Sequence, residues 1–434
     1  MLMAMGRWDG GLALFLATGQ LDINPLNVHL HVAFLHLPVM LAWIISMFVM
    51  SGLIATLVSI NVMALVWLER KISGLIQSRM GPMMVNIIQP RAWATNHKNG
   101  FLKWMSVWFG GWLQTLADGV KLLMKEDIIP TKADKWVFIS APVVVFTASI
   151  LGYSMIPFAP NFPVIKDLNV GFLLILAAGS YAAIGILMAG WSSNNKYSML
   201  GGMRSAAQII SYEIPLVLSL LGVVMMAGSL KMEDLVNAQR TIGDHHGHWF
   251  IFYQPIAFLI FLISGIAETN RPPFDMPEAE SELVSGFNTE YSGFRFSVFF
   301  LSEFSAMFLN SALAATLFFG GWSGPGAENP FIAFLWFFAK TYFVVLLFMW
   351  IRWTFPRFRI DQLMEFGWKV LTPLALANIL WTGIEIALAK ANGYHHQYLY
   401  IWIPILAMFV LRAVVPKSKR AKIRELIPST GIEA

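Results

Sequence analysis

The sequence predicts an all-α fold: a polytopic transmembrane helix bundle with about nine spans and a large cytoplasmic first loop containing an amphipathic helix. Three observations carry that prediction. Of 434 residues, 57% are hydrophobic and only 13% charged, against about 25% charged in a soluble domain. Apolar runs close to the roughly 20 residues that a bilayer-spanning helix needs recur along the whole chain. Runs of that kind must be helical, because lipid offers no partner to an open backbone group.

Residues 1–39 form an N-terminal periplasmic or interfacial segment. No basic n-region and small-residue cleavage site precede the first span, so no cleavable signal is expected. His29, His31 and His36 read as interfacial residues. Spans are predicted at 40–67, 136–158, 171–190, 204–227, 249–266, 294–319, 331–355, 368–390 and 398–415, all within a single transmembrane domain, 40–415. A basic cytoplasmic tail, 416–434, completes the chain.

Orientation comes from the basic residues of the connections. The connection 68–135 carries Arg70, Lys71, Arg79, Arg91, Lys98, Lys103, Lys121, Lys125, Lys132 and Lys135, and the tail carries Lys417, Lys419, Arg420, Lys422 and Arg424. Opposite them lie only Arg7, Lys166, Lys231, Arg240 and Lys390. With nine spans the N-terminus is outside and the C-terminus cytoplasmic, and the membrane is expected to be the bacterial inner membrane.

Within the first loop, Gln114, Asp118, Lys121 and Lys125 recur at helical spacing, with Leu113, Leu116, Val120 and Leu123 on the other face. That pattern suits a helix lying at the membrane interface, or a surface helix packed on neighbouring spans. Span four places Arg204, Gln208, Ser211, Pro215 and Ser219 on one face and Glu213 on the opposite one. Pro215 is expected to kink that span and re-aim Glu213. Glu303 and Asn310 share a face of span six. Glu213 and Glu303 both fall roughly 13 Å from the cytoplasmic end at 1.5 Å per residue. Lys340 lies within span seven. Ionisable groups at such depth mark ion or proton paths, or else structural ion pairs.

Between spans five and six, residues 267–293 read AETNRPPFDMPEAESELVSGFNTEYSG, with six acids (Glu268, Asp275, Glu278, Glu280, Glu282, Glu290) and one base, Arg271. Alone, such a stretch is a solvated acidic surface. With Glu69 closing span one and Glu268 closing span five, the acids form a graded series from water to mid-membrane.

Five blocks resemble one known family. LERKISGLIQSRMGP (68–82), ADGVKLLMKED (117–127), GWSSNNKYSMLGGMRSAAQIISYE (190–213), RPPFDMPEAESELVSGFNTEYSGFRF (271–296) and WIRWTFPRFRIDQLM (350–364) resemble, in order, the H subunit (subunit 1 in mitochondria) of proton-pumping NADH:quinone oxidoreductase, respiratory complex I. The resemblance implies the heel of a membrane arm. There the subunit helps to form the quinone chamber and couples quinone reduction to proton translocation through acidic residues. It assigns the proton path to Glu213, Glu268, Asp275, Glu278, Glu280, Glu282, Glu290 and Glu303. The chamber mouth or peripheral-arm interface takes Glu69, Arg70, Arg79, Asp118, Lys121, Glu126, Arg271, Arg357, Arg359 and Asp361. Arg271, the lone cation near the loop acids, becomes their counter-ion. Ubiquinone or menaquinone is the implied substrate. NADH, FMN and iron–sulfur clusters are implied for partner subunits: the peripheral iron–sulfur subunit and its neighbour, small membrane subunits and antiporter-like subunits.

The chain departs from the family pattern after Pro82. Met83, Met84, Val85 and Asn86 replace the usual Asn-x-Val-Gly, and roughly twenty added residues precede Gln114, a loop length that points to a specific role. The added segment includes Trp93, Lys98, Phe101, Lys103, Trp104 and Trp108, which suit a membrane interface. Thr115 stands where the family has proline, and many members lack the ninth span.

The chain has no cysteine, which excludes thiolate-held clusters and disulfides. No glycine-rich nucleotide motif follows a strand, so no nucleotide or nucleic-acid site is expected. His245, His246 and His248 read as a solvated turn without further ligands, so no metal is expected. Besides a purely structural scaffold, which would leave Glu213 and Glu303 unexplained, two rival readings remain. One is the membrane anchor of a related hydrogenase or dehydrogenase. The other is a stand-alone secondary transporter, which would require inverted repeats that the sequence does not show.

Overall fold

Helices α1 (Val39–Ile76), α3 (Lys135–Ser154), α4 (Gly171–Ser192), α5 (Lys196–Ala227), α10 (Gly293–Phe318) and α11 (Pro330–Thr354) form most of the bundle. They were observed in a computed structural model that describes residues 39–82, 110–160, 162–163, 168–241, 249–276 and 280–392. The shorter elements are α2 (Gln114–Met124), α6 (Met232–Thr241), α7 (Phe250–Tyr253), α8 (Pro255–Glu268), α9 (Glu280–Leu283), α12 (Ile360–Phe366) and α13 (Thr372–Asn392). A π-helical turn, Gly367–Leu371, joins α12 to α13. The strands β1 (Pro157–Ala159) and β2 (Phe162–Pro163) form a small antiparallel pair after α3. Residues up to Ile379 make one unit; the second begins at Leu380, and its described part is the remainder of α13.

Among the described residues, seven helices are long and apolar enough to cross a membrane, the last being the continuous run Ile360–Leu388. They coincide with predicted spans one to four and six to eight, and α1 continues past residue 67 to Ile76. The ninth predicted span, 398–415, lies outside the described residues, as do the histidines 29, 31, 36, 245, 246 and 248 and most of the added segment.

Span five is corrected by the structure. The run 249–266 is two helices, broken at Gln254, because Pro255 has no amide to continue the first helix and sits instead at the start of the second. The second, α8, has 14 residues. At 1.5 Å per residue it is about 21 Å long, short of a hydrocarbon core of about 30 Å.

The described residues between α8 and α10 fold into the bundle, where Thr269, Arg271, Phe274, Met276, Leu283, Phe287 and Tyr291 are buried. Buried irregular backbone needs internal partners, and it has them. Phe274 N–H donates to the Arg271 carbonyl at 2.8 Å, and Gln208 Nε2 on α5 donates to the carbonyls of Ala267 and Phe274, each at 2.8 Å. Phe358 N–H donates to the Pro273 carbonyl at 3.1 Å. Further along, Gly286 takes φ +59° and lies so close to α5 that a Cβ on Gly201 would sit 2.6 Å from its Cα. Tyr291 stacks on Phe138 with ring centroids 4.0 Å apart and donates to the Phe138 carbonyl at 3.1 Å. Burial pushes its phenol up to about 12, so it remains a neutral donor.

Helix α10 is the hub. It packs against α3, α11, α8, α1 and α2. Its most apolar stretch is 72% buried, more than that of the other six long helices.

Candidate functional site: a chain of charged groups within the bundle

Arg271 ends the turn after α8 and is 3% exposed. Its Nη1 lies 2.6 Å from Glu69 Oε2 on α1, and its Nε lies 2.9 Å from Glu303 Oε1 on α10. The guanidinium carbon is 4.0 Å from the centroid of the Phe304 ring. A planar fork can reach two carboxylates and a ring face at once, which a lysine cannot. Glu69 also pairs with Arg352, near the end of α11. The expectation of one cation among the acids is therefore corrected: two arginines and two glutamates share this cluster. Arg352 went unmarked because a basic residue in the last turn of a span is ordinary in a sequence.

A second pair lies further along α10. Asn310 Nδ2 donates to Glu268 Oε2 at 3.0 Å. Glu268 and Glu213 are electrostatic neighbours, and Ser180 on α4 donates its hydroxyl proton to Glu213. A Cβ on Gly179 would sit 3.3 Å from Glu268 Oε1. Residues 179 and 180 thus serve both carboxyls, one by leaving room and the other by donating a hydrogen bond. Glu213 does face away from Gln208, Ser211, Pro215 and Ser219, as the helical spacing predicts; those four are buried on the other side of α5. Ser180 and Gly179 carried no sequence signal, since small residues are ordinary in packed spans.

The remaining loop acids are distributed differently. Asp275 Oδ2 pairs with Arg357 at 2.9 Å, and Glu282 Oε2 with Arg204 at 2.6 Å. Glu290 accepts from Asn195 Nδ2 at 2.6 Å, against the start of α5 rather than beside Arg271. Glu280 begins α9, and Glu278 lies outside the described residues.

At the same end, Arg70 Nη1 pairs with Asp118 Oδ2 at 2.6 Å, and Gln114 Nε2 donates to Asp118 Oδ1 at 3.3 Å. Helix α2 therefore turns its polar edge toward α1. The helix packs on α1 and α10 with Leu113 half-buried, while Leu116, Val120 and Leu123 are 50, 49 and 61% exposed. The helix thus combines features of both readings: it packs on neighbouring spans and leaves most of its apolar face open. Arg79, Lys121, Glu126, Arg359 and Asp361 are exposed.

Lys340 stands apart. Its Nζ donates to the carbonyls of Gly321 at 2.9 Å and Ser323 at 2.5 Å, and lies 4.9 Å from the centroid of the Trp249 ring. It clasps the turn after α10, where Gly320 and Gly321 need positive φ.

A sequence model of the NADH dehydrogenase family matches residues 48–383, which contain every pair just described. The chain belongs to the NADH dehydrogenase family. Its relatives include the H subunit of NADH-quinone oxidoreductase from Dehalococcoides mccartyi (strain CBDB1), 48% identical over 332 residues, covering 76% of this chain and 84% of that one. The protein of the same name from Bacillus mycoides (strain KBAB4) is 50% identical over 322 residues, covering 73% and 86%. This NADH dehydrogenase family member is a membrane protein of the H-subunit type. The family match begins near the described start of α1 and ends within α13.

Proposed function

We propose that this chain is the membrane subunit of an NADH-quinone oxidoreductase that helps to form the quinone chamber and links quinone reduction to proton translocation. The observation that carries the reading is the arginine–glutamate cluster Glu69–Arg271–Glu303–Arg352, buried at Glu69 and Arg271 and half-buried at Glu303 and Arg352, continued along α10 by Asn310 and the Glu268–Glu213 pair. Ionisable groups are expensive in a membrane interior and are retained there for ion pathways. Reduction of a quinone takes up protons with its electrons. A carboxyl that yields a proton near the chamber becomes an anion beside Arg271, and Glu268, reached from α10 through Asn310, is placed to answer that change of charge. The loop end of the bundle faces the cytoplasm, and Arg79, Lys121, Glu126, Arg359 and Asp361 supply the surface for peripheral subunits. Those subunits carry NADH, FMN and the iron–sulfur clusters, for which this chain has no thiolate.

The test has two arms on the complex purified with its partners. Glu303→Gln and Glu213→Gln lower the protons pumped per electron by more than they lower assembly. Arg271→Ala changes the Michaelis constant for quinone. Normal pumping in both glutamine variants would remove the proton path, and unchanged quinone kinetics would remove Arg271 from the chamber. Copurification of a hydrogenase module in place of NADH-oxidising subunits would reassign the complex.

A further inference from the structure

A separate site lies where α3 begins and α4 turns into α5. An open cavity of about 380 Å³ is lined there by Thr131, Lys132, Asn194, Lys196, Tyr197 and Glu290, among others. Its walls are fixed by hydrogen bonds. Asn194 Nδ2 donates to the Lys132 carbonyl at 3.2 Å, and Asp134 N–H to the Ser192 carbonyl at 3.1 Å. Asn195 caps α5 by accepting from Tyr197 N–H at 3.0 Å and engages Glu290 at 2.6 Å. Glu290 is thereby held by an amide. Among the described residues, neither Lys132 nor Lys196 forms an ion pair, so even with Glu290 in the same lining the cavity carries a net positive charge.

The surroundings indicate which anion fits. Trp136 and Trp191, four and two residues along the chain from lining residues, are 84% and 65% exposed, and Tyr197 is 54% exposed. Exposed tryptophan and tyrosine at the ends of spans belong at headgroup level. From Trp136 the exposed apolar positions continue down α3 through Ile139 and Val143, and from Trp191 down α4 through Leu187 and Ile184, at helical spacing. Basic pockets between spans, open to the membrane surface, are suited to anionic lipid headgroups. We infer that this cavity binds the phosphate of an anionic phospholipid, with Lys132 and Lys196 as its counter-ions and the acyl chains along the exposed apolar positions of α3 and α4. A free phosphate ion has the same chemistry at the lysines but makes no use of the apolar positions or the aromatic rim, so the lipid is the occupant the geometry favours.

The complex, with every subunit that copurifies, is placed in phosphatidylcholine nanodiscs with a trace of phosphatidylglycerol bearing a photoreactive group near its headgroup. Label is expected on the peptides spanning 130–136 and 191–197. Each lysine is worth about a factor of five, so Lys132→Ala with Lys196→Ala lowers labelling roughly 25-fold. The paired arginine substitutions retain it. Both lysines are exposed, so subunit content stays unchanged. Excess unlabelled phosphatidylglycerol displaces the label and inorganic phosphate does not. Equal labelling of the double alanine variant, equal displacement by phosphate, or another protein subunit crosslinked over the cavity would each overturn the lipid site.

Discussion

Arg271 shows how differently one kind of contact counts at different depths. It is buried, with Glu69 at 2.6 Å and Glu303 at 2.9 Å. Arg204 makes an equally short contact to Glu282, but that carboxylate is 53% exposed. Removing one partner of a buried pair leaves a stranded charge and costs about 3–5 kcal/mol, whereas an exposed pair contributes about 0–1 kcal/mol. Thermal unfolding of the purified complex should therefore separate the two. Arg271→Ala is expected to lower the midpoint well beyond Arg204→Ala, with Arg271→Lys intermediate because one ammonium cannot span both carboxylates. Equal shifts for the two alanine variants would mean that Arg271 is not the counter-ion the geometry makes it. The sequence marked Arg271 as the one base in its stretch. It could not pair it, because Glu69 and Arg352 come from helices far along the chain, and periodicity along one helix carries no information about its neighbours.

At the scale of elements, the decisive feature is an apolar run broken into two helices at Gln254 and followed by a loop with buried side chains. Pro255 was visible in the sequence, yet the uninterrupted apolar run around it read as one span, since hydropathy responds to side chains and not to the missing amide. Gln208 shows the converse. Its face, shared with Ser211, Pro215 and Ser219, was legible from the 100° spacing, but its role was not. Its amide holds the end of α8 and the turn at Phe274 together. Gln208→Leu keeps most of the volume and removes both bonds, at about 1–3 kcal/mol for each buried carbonyl left unsatisfied. Hydrogen exchange is expected to rise in residues 269–276 while α10 stays protected. Unchanged exchange across 269–276 would show that the loop is held by Phe358 and the aromatic contacts alone.

Across the whole molecule, α10 joins the two charged groups. Glu303 reaches Arg271, and Asn310, two turns on, reaches Glu268. The separation along the axis is about 10 Å at 1.5 Å per residue, too far for direct proton transfer and short enough for water or side-chain motion to bridge. That Glu303 and Asn310 share a face follows from their spacing alone, and the structure turns the shared face into two addresses. Lys340 is the contrasting case, legible as a charge within a span but occupied by two carbonyls of the turn after α10. The proposed path makes a claim about order that a double-mutant cycle can test. If protons pass both groups in series, Glu303→Gln combined with Glu268→Gln pumps no worse than the poorer single variant in proteoliposomes. If each group serves a separate route, the two losses multiply. Lys340→Met serves as the control: it should lower the unfolding midpoint and leave protons per electron unchanged. A multiplicative loss would divide the proposed path into independent branches, and a pumping defect in Lys340→Met would draw the turn after α10 into the coupling.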